Sequence, residues 1–98
     1  MIVEITASAE RDLENIADYI ARDSALAALR FIDALQAKCV DLGELPYAFP
    51  LIPRYEKHGI RRRVYGNYLI LYRVDAERVV VLRILHGAVA YEAVLFPD

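Results

Sequence analysis

The stretch Arg61–Val74, RRRVYGNYLILYRV, decides the fold. Gly66-Asn67 sits where a two-residue hairpin turn belongs, and both residue types tolerate the positive φ such a turn needs. That turn predicts strands over Ile60–Tyr65 and Tyr68–Val74. It sets Tyr65 opposite Tyr68, Val64 opposite Leu69 and Arg62 opposite Leu71. A four-residue turn over Asp75–Arg78 leads into a third strand, Val79–His86, with Val74 facing Val79 and Leu71 facing Leu82. Two features stand out: three consecutive arginines in a chain of net charge −2, and a second strand that is apolar on both faces.

Working back from the hairpin, Pro46–Gly59 reads as an ordered loop with three prolines, restricted in backbone freedom and poor in donors. Tyr47, Phe49, Leu51 and Ile52 can pack from it onto a core. Before the loop lie two helices. The first is capped by Ser8, has Glu10 and Asp12 in its first turn, and ends near Arg22. Its apolar face is Leu13, Ile16, Ala17 and Ile20, and Arg11, Asp12, Asn15 and Asp18 make its solvated face. The second is capped by Asp23 or Ser24, buries Ala28, Phe31, Ile32, Leu35, Cys39 and Leu42, and closes at Gly43 before Pro46. The break between them is short enough to force an antiparallel pair. Ile2–Ile5 is a short first strand. Gly87–Asp98 reads as irregular or as a short strand. The order β-α-α-β-β-β makes an α+β fold: an antiparallel helical hairpin packed on a curved, mainly antiparallel sheet. Residues 1–98 form a single domain.

Composition narrows the function classes. The chain is 57% hydrophobic and 27% charged, which fits a globular domain. No apolar run approaches the roughly 20 residues of a membrane span, and no export signal is read at the N-terminus. A single cysteine gives no internal disulfide, in keeping with a reducing cytoplasm. Residues 1–50 carry four basic and nine acidic side chains; residues 51–98 carry eight basic and five acidic. The second half can therefore attract an acidic partner, although plain surface charge explains the same balance.

Alternation along the predicted strands leaves neither sheet face polar. One face carries Ile60, Arg62, Val64, Leu69, Leu71, Arg73, Val80, Leu82, Ile84 and His86. The other carries Arg61, Arg63, Tyr65, Tyr68, Ile70, Tyr72, Val81, Arg83 and Leu85. One helical hairpin covers one face. A few hundred Å² left bare would forgo several kcal/mol, at about 25 cal/mol per Å². Cover for the second face has to come from the C-terminal stretch (Tyr91, Val94, Leu95, Phe96), the proline-rich loop, a second copy or a partner chain. The surplus of apolar surface is read as a demand for another polypeptide.

Chemistry is thinly represented. Two histidines and one cysteine show no metal-ligand spacing, and the glycines are isolated turn or cap residues, so neither metal nor cofactor is expected. Cys39 lies on an apolar helical stripe and reads as core. Arg62, Arg73 and His86 share a face in the expected register, and a base with cations is what cleavage of RNA through its 2′-hydroxyl requires. His86 lies about four residues along the strand from the row of Arg62, or about 13 Å. That spacing is too wide for one compact acid–base site.

Four stretches together carry a resemblance: AERDLENIADYIA (Ala9–Ala21), LGELPYAFP (Leu42–Pro50), GIRRRVYGNYLILYRV (Gly59–Val74) and RILHG (Arg83–Gly87). In this order the sequence resembles the ParE-like toxins of the RelE/ParE toxin–antitoxin superfamily. The resemblance implies a toxin that inhibits DNA gyrase by binding, without catalysis, in the cytoplasm. It also implies a cognate antitoxin, a small DNA-binding protein, so that this chain itself does not bind DNA sequence-specifically. Antitoxin contact is then expected on Arg62, Leu69, Leu71, Arg73 and Leu82, with Tyr91, Leu95 and Phe96 as a second contact; target contact is expected on Arg61, Arg62 and Arg63. The alternative within the superfamily is a ribosome-dependent mRNA endonuclease, for which Arg62 and His86 are the available residues. Against it, Leu69, Val89 and Leu95 stand where such enzymes carry arginine, arginine and tyrosine. Val89 and Ala90 also replace a basic residue and an aspartate common in ParE-like chains, which opens a third reading, a detoxified antitoxin-binding module.

Overall fold

The computed structural model describes residues 1–96. Strand β1 (Ile2–Ile5) is followed by helices α1 (Ala7–Ala21) and α2 (Ala25–Asp41). Strands β2 (Ile60–Tyr65), β3 (Tyr68–Asp75) and β4 (Arg78–His86) come next, and then a short helix α3 (Tyr91–Leu95). The described residues form a four-stranded sheet of order β1-β4-β3-β2, with β1 parallel to β4 and the other pairs antiparallel. The α+β class and the expected element order hold. The last segment departs from expectation, because residues 91–95 are helical where an irregular stretch or a strand was read.

Local chemistry explains the element ends. Thr6, two residues before the expected Ser8, caps α1. Its hydroxyl accepts from Ala9 N at 3.1 Å and donates to Leu82 O at 2.9 Å, so one side chain starts the helix and ties it to β4. Ser24 caps α2 by accepting from Ala27 N. Gly43 serves another purpose than ending a helix. A Cβ there would stand 2.4 Å from the backbone oxygen of Met1, so glycine lets β1 approach the end of α2. Gly66 takes φ 58° in the β2–β3 turn, and the hairpin register from Tyr65–Tyr68 to Arg62–Leu71 is as expected.

The β3–β4 register is right at one end and shifted at the other. Val74 faces Val79, but a bulge falls between Leu71 and Tyr72, and Leu71 pairs with Arg83 instead of Leu82. The extra residue on β4 turns over everything beyond it. Ile84, expected beside Leu69 and Leu71, instead joins the core under the helices with Leu13, Ile16, Leu35, Ile70, Tyr72 and Val81. Leu85 moves the other way and packs with Leu69 and Leu71. Asp12, expected in solvent, is the anchor at this point. It is 8% exposed, receives Arg83 Nε at 2.7 Å and Nη2 at 2.9 Å, and accepts from Ile84 N at 2.9 Å.

The second face of the sheet is closed by the chain itself, and this overturns the expectation that another polypeptide must finish the fold. Ile52 and Tyr55 from the loop, with Tyr91, Leu95 and Phe96 from the C-terminal segment, pack on Ile60, Leu69, Leu71, Leu82 and Leu85. Leu71 and Ile52 have no exposed surface. Burying one such side chain contributes about 1.5–3 kcal/mol, so this small second core holds the loop and α3 in place.

Candidate functional site

The arginine run starts on an edge strand, and the three guanidiniums diverge by alternation. Arg61 Nη1 donates to Phe49 O at 2.7 Å, and its guanidinium lies 5.2 Å from the Tyr47 ring centre. Arg63 Nη1 donates to Lys38 O at 3.0 Å and lies 4.6 Å from the Phe49 ring centre. Lys38 O is one of the last carbonyls of α2, which lack helical partners and carry the negative end of the helix dipole. Arg62 points to the opposite face and donates to Tyr91 Oη at 3.0 Å. Arg61 and Arg63 therefore fasten the loop and α2 to β2, and Arg62 fastens α3. The edge of β2 is covered in the same region, since Ile52 N donates to Ile60 O and Arg62 N to Pro50 O.

On the second face, α3 and the loop form a lid. Phe96 stacks on Tyr55 with ring centres 4.2 Å apart and planes within 6°, and His58 lies 4.4 Å from Phe96. Beside the lid a cleft of about 450 Å³ opens between Pro53, Arg54, Tyr55, Tyr91 and Glu92. Arg54 has φ 74°, a strained backbone for a non-glycine residue. Of the residues expected to meet an antitoxin, Arg62, Leu82, Leu95 and Phe96 are half-buried, Arg73 is exposed, and Leu69, Leu71 and Tyr91 are buried. The sequence reading missed Tyr55 and His58, which lie in a loop with no periodicity to mark them.

The acid–base pair considered from sequence is not assembled. Beyond the bulge, His86 pairs with Tyr68 and sets its ring edge-on to that tyrosine, 5.4 Å between centres. Tyr68 packs against the helix-side core, whereas Arg62 reaches Tyr91 on the other face. This replaces the expectation that Arg62 and His86 share a face. His86 Nδ1 accepts from Ala88 N at 3.0 Å, as a strand-end residue does. Cys39 has no exposed surface, and burial pushes its thiol up to about 11, which fits a core residue and not a nucleophile. Tyr72 is raised as well, by burial, with Arg61 opposing; its hydroxyl donates to Pro46 O at 2.9 Å. Among the described residues no three His, Cys, Asp or Glu side chains are placed to hold a metal ion, and no helix is long and apolar enough to cross a membrane.

Two helices packed on a four-stranded, open mixed sheet match the fold of ParE and RelE toxins. The chain is similar to a chain of the chromosomal ParDE system from P. aeruginosa, with TM-score 0.72 and 20% identity over 88% of this chain and 95% of that one. It is also similar to a chain of the toxin–antitoxin complex RelBE2 from Mycobacterium tuberculosis, with TM-score 0.65 and 30% identity over 87% and 95%. No curated protein sequence matches it. The chain belongs to the ParE toxin family of type II toxin–antitoxin systems, parDE, whose model matches residues 3–91.

Proposed function

We propose that this ParE-family chain inhibits DNA gyrase by binding it, without catalysis, in the cytoplasm, and is neutralised by a cognate antitoxin that carries the DNA-binding part. The observation that supports binding over catalysis is the separation of Arg62 and His86 on opposite faces. A general base and a cation must converge within hydrogen-bond reach of one reacting group.

The antitoxin segment lies over the lid: Arg62, Arg73, Leu82, Tyr91, Leu95 and Phe96 supply the contact surface. Leu69 and Leu71, being buried, act as its floor. Arg61, Arg62 and Arg63 contact the target along the β2 edge, Arg61 and Arg63 from one face and Arg62 from the other. Each of these guanidiniums uses Nη1 internally, and a guanidinium has five N–H donors, so donors remain for an outside acceptor. The internal bonds fix their direction, which lowers the entropy cost of binding. Supercoiling by purified gyrase in the presence of the free chain tests the reading. Inhibition that grows with added chain is expected, and unchanged supercoiling at large excess removes the gyrase claim.

The 30% identity to a RelBE2 chain supports a second reading, a ribosome-dependent mRNA endonuclease. Primer extension on ribosome-bound message would then show codon-phased cuts. Cuts that survive His86→Ala would exclude His86 as the base. Normal growth of cells expressing the chain without antitoxin would favour the detoxified module instead, with Val89 and Ala90 as the altered positions.

A further inference from the structure

Helix α2 has a second apolar stripe that the core does not use. Its inner face buries Ala28, Leu35 and Cys39. Its outer face carries Leu26, Leu29 and Val40, which are 57%, 66% and 62% exposed. At 3.6 residues per turn these three fall on one side of the helix, together with Arg30, Asp33 and Ala37. Arg30 and Asp33 are exposed, and among the described residues neither enters an ion pair, with each other or with any other side chain. Grooves of about 430 and 340 Å³ flank this ridge, one toward Tyr65 and one toward α1.

We propose that the outer face of α2 is a homodimer interface, occupied by α2 of a second copy of this chain. The charge order selects that occupant. A two-fold axis requires a patch to complement itself. An antiparallel crossing centred between residues 31 and 32 brings Arg30 against the second copy's Asp33, and Asp33 against its Arg30. The same crossing sets Leu26 over the second copy's Ala37, large against small, as a ridge packs into a groove. One cation and one anion, a turn apart and both without an ion-pair partner among the described residues, are satisfied together by this arrangement. A helix of 17 residues is about 25 Å long, so the contact is at the small end of specific interfaces and the association is reversible. This surface lies on the helical layer, away from the lid, so dimerisation does not depend on the proposed function.

The test is sedimentation equilibrium on the full chain made by cell-free synthesis, from about 1 µM to about 1 mM. A monomer–dimer equilibrium is expected. Arg30→Asp and Asp33→Arg should each weaken it by about tenfold or more, and the double variant, with the charges exchanged, should restore it. Circular dichroism checks that each variant keeps its helices; these exposed positions do not contribute to the core. A chain that is monomeric at every concentration overturns the proposal. So does a dimer indifferent to both single variants. If Leu29→Asp left the mass unchanged but abolished capture of a co-expressed antitoxin, α2 would belong to that partner instead.

Discussion

Asp12 shows how one carboxylate can set the geometry of a strand far away in sequence. It accepts from both arms of Arg83 and from Ile84 N, 72 residues further on, at the bulge that reverses the end of β4. Asp12→Ala leaves a buried N–H and a half-buried guanidinium without partners, so a loss of about 3 kcal/mol is expected in urea unfolding. Asp12→Asn keeps an acceptor for Ile84 N and should lose less. Cys39 gives a pH signature. Its thiol is raised from 9.0 to about 11 in the folded chain, so above pH 9 the unfolded chain releases a proton that the folded chain retains. Stability therefore falls as pH rises from 9 toward 11, by about 2–3 kcal/mol. Tyr72, also raised by burial, acts in the same direction at higher pH. Cys39→Ala should flatten the lower part of that decline in chemical denaturation run at successive pH values.

At the scale of elements, two tight passages differ in what they tolerate. A methyl group at residue 43 meets backbone, not a flexible side chain, at 2.4 Å, so β1 and the end of α2 would have to separate. Gly43→Ala is expected to lower stability by about 1–3 kcal/mol, read as a lower thermal midpoint. In the β3–β4 turn the reverse holds. Ala76 sits at φ 55°, where an L-residue is strained, and Ala76→Gly should stabilise the fold by about 0.5–1 kcal/mol, read as a higher thermal midpoint, despite the extra freedom of glycine in the unfolded chain. The β2–β3 hairpin was legible because Gly66-Asn67 fixes its register through two residues. The β4 bulge was not, because nothing in RVVVLRILH marks where a ladder gains a residue. The anchors of that bulge, Asp12 and Thr6, lie on α1 and at its N-terminal cap.

The described residues form two small cores on either side of one sheet. The second is thin, closed by a loop and a five-residue helix. Its integrity should depend on the lid. Tyr91→Ala removes a buried ring and the acceptor of Arg62, so a loss of about 3 kcal/mol or more is expected, together with binding of a hydrophobic dye as Leu69, Leu71 and Leu85 become wet. A variant that kept full stability and stayed dark to the dye would show that the loop alone closes this face.

The sequence by itself determined the order of elements as far as β4, the helical hairpin, the register of β2 on β3 and the motifs that carry the family resemblance. The elements and the register follow from short-range rules of turn, cap and period, and the motifs from likeness to a known family. It also showed that both sheet faces require cover. Only the tertiary structure decided what provides that cover, where Arg61, Arg62 and Arg63 find their acceptors, and on which face Ile84, Leu85 and His86 fall. Those outcomes depend on groups tens of residues apart meeting in space, and side-chain period along one strand carries no record of its partners.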